Sequence, residues 1–128
     1  MAADLPQDAI VARFMSALES AGDLAVLDEI CVPTVAAEWR SIMTGFAFDD
    51  RVFTIDQILS DGAQVAILWS LTARHTGEYG GVAATGIHTS NTGSSFFTFD
   101  DGKIATVLAH YDADAVYEQI GAVIGPPR

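Results

Sequence analysis

The carboxylate of Asp112 stands where the mostly apolar run from Lys103 to about Tyr111 gives way to a short closing helix that ends at Gly121, a position suited to proton transfer. An ordinary aspartate has a pKa of about 3.9, too low for a strong base, and burial raises it because water no longer stabilises the charge. Proton transfer is most efficient when the pKa approaches the working pH, so Asp112 needs an apolar pocket around it. Strand side chains two apart share a face, which puts Leu108, His110 and Asp112 together and lets His110 hydrogen-bond the carboxylate or a substrate oxygen. The competing reading of Asp112 is a helix cap, a common fate of aspartate. Asp114 is the better-placed cap for a helix starting at Ala115, which leaves Asp112 free. His110 also reads as a packed or surface strand histidine, and His75 as either a pocket-mouth residue or a hydrogen-bonded turn residue.

His75, His110 and Asp112 have the types of a two-histidine, one-carboxylate metal set. Two of them are neighbours on one strand and nothing in the sequence brings His75 to them, so no metal or other cofactor is expected. Trp39, Trp69, Tyr79, Phe97 and Phe99 are candidate pocket walls that could grip a flat polycyclic ligand, with core packing as the alternative for each.

These residues need elements to hold them. Asp4, Pro6 and Gln7 form a helix start, with Asp4 as cap and Gln7 reaching back, and Ile10, Val11, Phe14, Met15 and Leu18 follow on one helical stripe before Gly22 ends it. Asp23 caps a second helix carrying Leu24, Leu27 and Ile30, which Pro33 stops. Thr34 caps a third, with Val35, Trp39, Ile42 and Met43 facing inward before Gly45. From Arg51 the signals turn to strand type. Asp61-Gly62 marks a two-residue hairpin, and a long strand runs from Gln64 to about His75 with Val65, Ile67, Trp69, Leu71 and Ala73 on one face, buried on both sides at its start. Further extended runs at about Ala84 to Ser90, Ser94 to Phe99 and Lys103 to Tyr111 are joined by hairpins at Thr92-Gly93 and Asp101-Gly102. Helices followed by an antiparallel meander predict an α+β fold with the helices packed on one face of a curved sheet. The glycine-bearing loop from His75 to Gly81 lacks the lysine and hydroxyl of a phosphate cradle and the spacing of a dinucleotide fingerprint.

A chain of 128 residues suits one domain spanning 1–128, able to bury roughly two thirds of its unfolded surface. Seventeen acids against six scattered basic residues give a net charge of -11, which disfavours nucleic acid and anionic membrane and mildly repels acidic substrates. The lone Cys31 forms neither an internal disulfide nor a thiolate metal set. The opening residues lack the basic start and apolar run of a signal peptide, and a cytoplasmic location is expected.

Trp69 in its strand, His75-Thr76-Gly77-Glu78-Tyr79-Gly80-Gly81, Thr85-Gly86, Asp101-Gly102-Lys103-Ile104, and Asp112 with Gln119-Ile120-Gly121 together resemble the SnoaL-like polyketide cyclase family of the nuclear transport factor two-like superfamily. The resemblance is continuous from about Phe48 to Gly121 and weaker in the helices. It implies a cone-shaped α+β barrel with three helices closing a curved sheet over one deep pocket, usually as a homodimer. It also implies a cofactor-free cyclase or isomerase in which the aspartate seven residues before the glutamine, here Asp112, is the acid/base. Such an enzyme removes a proton from a carbon flanked by carbonyls, and the enolate closes a ring by intramolecular aldol attack on a neutral, polyketide-like substrate. His75, Trp69, Trp39, Tyr79 and Phe97 are the expected substrate contacts. An epoxide-opening cyclase or hydrolase, a ketosteroid-isomerase-like enzyme and a non-catalytic binding or dimerisation module stay open on the same fold. The chain departs from the family in its short Cys31-Val32-Pro33 link, where part of the pocket wall is usually built, and in Ser95 to Phe99, which lacks a basic or histidine residue.

Overall fold

Apolar and polar side chains alternate from Phe48 onward and produce four strands, β1 (Phe48–Ser60), β2 (Gln64–His75), β3 (His88–Asp100) and β4 (Lys103–Tyr111), paired in that order as an antiparallel meander. Helices α1 (Pro6–Leu18), α2 (Val26–Ile30) and α3 (Pro33–Met43) precede them and α4 (Ala113–Gln119) follows. This computed structural model describes residues 6–121, so the expected Asp4 cap lies outside the described residues. The order of elements makes the fold α+β, with a curved sheet and N-terminal helices, as the sequence predicts.

Helix boundaries shift where local hydrogen bonding outweighs the simplest capping pattern. Helix α1 stops at Leu18 rather than Gly22, and Gln7 donates to the Gly62 carbonyl at 2.9 Å instead of reaching back. Asp23 accepts from the Ala25 N–H at 2.9 Å in a turn ahead of α2, whose cap position is Ala25. Helix α3 begins at Pro33 with Val32 extended before it, because proline's fixed φ suits the first helical turn; Thr34 is inside the helix.

The sheet curls because β1 carries two register irregularities, between Asp49 and Val52 and between Ile55 and Gln57, and such bulges bend a strand. Arg51 fastens α1 to the first of them. Its Nε donates to the Leu18 carbonyl at 2.9 Å and its Nη1 to the Phe48 carbonyl at 2.7 Å, while Glu19 accepts from the Phe53 N–H at 2.7 Å. Burial lowers the Arg51 pKa, opposed by Asp49. Between the layers, Phe14 meets Trp39 and Phe97 edge-on, each at 5.4 Å between ring centres.

Two hairpin expectations are corrected. Strand β3 runs straight through Thr92-Gly93, where the glycine makes room for a neighbouring ring rather than a turn. The β1–β2 connection has one residue more than expected: Asp61, Gly62 and Ala63 lie between the strands. Asp101-Gly102 is the expected tight turn, with φ of 50° and 79°. Nor is β2 buried on both sides at its start, because the helices cover only one face: Val65, Ile67 and Trp69 are buried and Leu68 is 50% exposed.

Asp61 accepts from the N–H groups of Ala63 at 2.8 Å and Gln64 at 2.7 Å, and these bonds to the charged form lower its pKa. The carboxylate therefore contributes stability above the unfolded aspartate value of roughly 3.9, and that contribution disappears as pH falls through the lower folded value. In denaturant titrations Asp61→Ala is expected to be less stable than the parent at pH 7, with the gap closing at a pH below both values.

Candidate functional site

The concave face of the sheet presents side chains in rows fixed by strand register. Trp69 lies opposite Gly93, and Gly93 opposite Tyr111; the next row holds Ile67, Ser95 and Ala109, and the next Val65, Phe97 and Val107. Helices α1 and α3 cross the face, bringing Phe14, Met15, Trp39 and Met43 over it to enclose a cavity of about 480 Å³. That volume falls within the range of small-molecule sites, and the lining is mainly aromatic and aliphatic. Its polar side chains are Glu38, Tyr79, Thr89, Asn91, Ser95 and Tyr111, besides the tryptophan N–H groups.

Trp69 is locked into the wall. Its Nε1 donates to Ser95 Oγ at 3.0 Å, and Phe53 meets it edge-on at 5.6 Å. The ring has room only because residue 93 is glycine: a Cβ there would stand 2.2 Å from Trp69 Cζ2 and 2.3 Å from the His110 carbonyl oxygen. Trp39 also lines the cavity, and its buried Nε1 has no hydrogen-bond partner among the described residues.

Tyr79 reaches the cavity from the loop after β2. Its N–H and carbonyl exchange 2.9 Å hydrogen bonds with Val82 across Gly80 and Gly81, whose φ values are 57° and 88°. Both central residues at positive φ define a tight turn that glycine enters without steric penalty. The Tyr79 ring packs edge-on against Phe48 at 5.1 Å and lies 5.3 Å from Tyr117, and its hydroxyl oxygen is 2.9 Å from that of Tyr111. Burial, then the Tyr111 hydroxyl, pushes the Tyr79 pKa well above the tyrosine range.

The remaining candidates lie elsewhere. Phe97 is fully buried behind the cavity, against Phe14. His75 is fully buried beside Phe48, with Nδ1 accepting from the Thr85 N–H at 3.2 Å and lying 2.9 Å from Thr85 Oγ1; it does not line the cavity. His110 and Asp112 are exposed and border a separate open groove with Asp56 and Thr92. Asp112 accepts from the Ala115 N–H at 3.0 Å and is the cap of α4, so the expectation that Asp114 caps and Asp112 is buried is corrected. The physical reason is that α4 starts at Ala113, directly after β4, which places Ala115 within reach of Asp112. His75, His110 and Asp112 do not converge, and among the described residues no three histidine, cysteine or acidic side chains are grouped to hold a metal.

Sequence reasoning missed Glu38, Thr89, Asn91, Ser95 and Tyr111. Glu38 is an exposed polar residue of α3, and nothing in its spacing singles it out. Thr89, Asn91, Gly93, Ser95 and Phe97 alternate in one strand, but a turn at Thr92-Gly93 breaks that parity and hides them.

A curved antiparallel sheet closed by helices over one apolar chamber defines a small-ligand pocket protein of the α+β cone class. The chain belongs to the SnoaL-like polyketide cyclase family, whose model matches residues 9–120. It is similar to the crystal structure of a candidate polyketide cyclase from Acidithiobacillus ferrooxidans, with a TM-score of 0.80, 22% identity, and coverage of 94% of this chain and 98% of the other. A SnoaL-like polyketide cyclase from Agrobacterium tumefaciens gives a TM-score of 0.75 at 17% identity, covering 93% and 100%. AclR, a candidate hydroxylase from Streptomyces galilaeus, gives 0.79 at 21% identity, covering 94% and 88%. Likeness at these identities shows the shared fold. A comparison with curated proteins finds no match. No helix among the described residues is long and apolar enough to cross a membrane.

Proposed function

We propose that this chain is a cofactor-free enzyme of the cyclase type, which takes a flat, weakly polar carbonyl compound into the cavity and closes a ring in it by intramolecular aldol attack. The observation that carries this reading is the largely apolar cavity of about 480 Å³ with aromatic walls and a few oxygen groups. Attack within one molecule gains most of its rate from holding the reacting carbons in line, which a shaped aromatic chamber does.

Glu38 is the one carboxylate among the lining residues, and we assign it the base. The proton on the carbon between two carbonyls passes to Glu38, the resulting enolate carbon bonds to the carbon of a further carbonyl elsewhere in the molecule, and the proton returns to the alkoxide so formed. Asp112, at the position that the family resemblance marks for this role, holds the start of α4 instead.

The test is turnover of a naphthyl-substituted linear β-polyketone by the protein and two isosteric variants. Glu38→Gln is expected to lose about 10²–10⁴-fold in rate, the usual worth of general acid–base catalysis, while Asp112→Asn stays within about threefold. The opposite pattern would return the acid/base role to Asp112. Both Glu38 and Asp112 are exposed, which favours a second reading: a non-catalytic binding module. Binding of the polyketone without turnover by the parent protein supports that reading.

The proposal includes a homodimer through the outer face of the sheet. Leu59, Ala66, Phe96 and Leu108 lie in one row across all four strands, with Leu59 65%, Phe96 49% and Leu108 58% exposed. A cytoplasmic setting, where a lone thiol stays reduced, accords with Cys31, whose thiol burial pushes up to about 11 and keeps protonated.

A further inference from the structure

We propose that the paired phenols of Tyr79 and Tyr111 anchor the ligand's carbonyl oxygen, so that a ketone, or the enolate formed from it, is read by a hydrogen bond at that end of the cavity. The inference rests on the cavity being the ligand site, as proposed above, and it assigns a function to the glycine-bearing loop after β2.

Each phenol has one O–H to donate and lone pairs to accept with. The two oxygens are 2.9 Å apart, so one proton is used between them, whichever tyrosine donates. The other O–H has no acceptor among the described residues, and both side chains line the cavity. The free O–H belongs to an oxygen that already accepts a hydrogen bond, which polarises it and strengthens its donation to a third group. Burial and the neighbouring hydroxyl raise the Tyr79 pKa, so Tyr79 keeps its proton at neutral pH. A carbonyl oxygen fits this donor, and an enolate oxygen fits it better, because a fixed donor stabilises developing negative charge without reorganising. The tyrosines keep their protons throughout; the carbon-bound proton goes to the base.

The pair is held in place before any ligand arrives. The turn through Gly80 and Gly81 fixes the Tyr79 backbone, and the Glu78 carboxylate accepts from the Gly81 N–H at 2.9 Å to close the loop on itself. Gly80 has a second role: a Cβ there would stand 2.3 Å from the Tyr117 hydroxyl oxygen, so the glycine lets Tyr117 lie against Tyr79. Phe48 meets the Tyr79 ring edge-on. Tyr111 ends β4 opposite Gly93, beside the Trp69 wall.

The experiment compares 2-acetylnaphthalene, which has a ketone, with 2-ethylnaphthalene, which has the same rings and no oxygen, by equilibrium dialysis against the full chain. The ratio of their affinities is expected to favour the ketone by roughly three- to tenfold more in the parent than in Tyr79→Phe/Tyr111→Phe, the worth of about one hydrogen bond. The affinity for 2-ethylnaphthalene should be the same in both proteins. The single variants, checked by circular dichroism, should fall between them, and they carry the test if the double variant does not fold. The C=O stretch of the bound ketone should lie at lower wavenumber in the parent than in the variants. A ketone preference and stretch unchanged by removal of both hydroxyls would overturn the anchor while leaving the cavity reading intact. Failure of the parent to bind either naphthalene would remove the cavity reading and the anchor with it.

Discussion

Gly93→Ala should destabilise the protein by about 3 kcal/mol and abolish ligand binding in the cavity, although it adds a single methyl group. That carbon has no free space: Trp69 Cζ2 is 2.2 Å from where it would sit, and the His110 carbonyl oxygen 2.3 Å. Overpacking a filled site costs roughly 1–3 kcal/mol, and displacing the indole also breaks its bond to Ser95, worth about 1 kcal/mol more. Urea denaturation measures the loss, and equilibrium dialysis with 2-ethylnaphthalene measures the effect on the cavity. Adding Trp69→Phe should recover part of the stability, since a smaller ring leaves room for the methyl group. Recovery remains incomplete because the β4 backbone is also too close. Coupling between the two sites is the diagnostic result, because residues in contact do not add. Native stability in Gly93→Ala alone would show that the close approach of Trp69 is not part of the fold.

Phe96→Asp is expected to convert a dimer into a monomer, so that the mass measured by light scattering falls from twice 13.6 kDa to 13.6 kDa. In an isologous contact each substitution appears twice, so one change places two carboxylates in the same apolar interface. Burying unpaired charge costs several kcal/mol per ion, enough to dissociate an interface of modest affinity. Leu59→Asp, in the same row on β1, should act alike. Both positions are absent from the cavity lining, so the monomeric variants should still bind 2-ethylnaphthalene. A monomeric parent at assay concentration would overturn the homodimer itself, and a dimer that survives both substitutions would place its interface elsewhere.

The architecture was legible because it follows from local chemistry. Strand parity in β2, the Asp101-Gly102 turn and the apolar stripe of α1 each have a short-range cause, and the observed elements agree with it. The site was harder to read because it depends on contacts across the sheet. Trp69 and Tyr79, expected on their aromatic character alone, line the cavity, whereas Phe97 lies behind it. Asp112 shows the limit most clearly. Alternation groups it with Leu108 and His110 at the end of β4, but alternation does not say which face is enclosed. His110 and Asp112 proved to lie outside, with the carboxylate engaged by the first turn of α4. Gly93 misled for a related reason. A glycine after a threonine in a polar stretch has the composition of a turn, and only the partner strands reveal that its missing side chain accommodates Trp69.

The short Cys31-Val32-Pro33 link has a consequence for solubility. Strand β4 is at one margin of the meander, where unpaired backbone groups could template pairing with another chain. Cys31 forms a parallel bridge to Ile104 there, and the Val32 N–H donates to the Ile104 carbonyl at 2.9 Å. The passage between α2 and α3 thus covers part of the open rim of the sheet. At Ile104 this leaves less edge backbone open to pairing with a second chain.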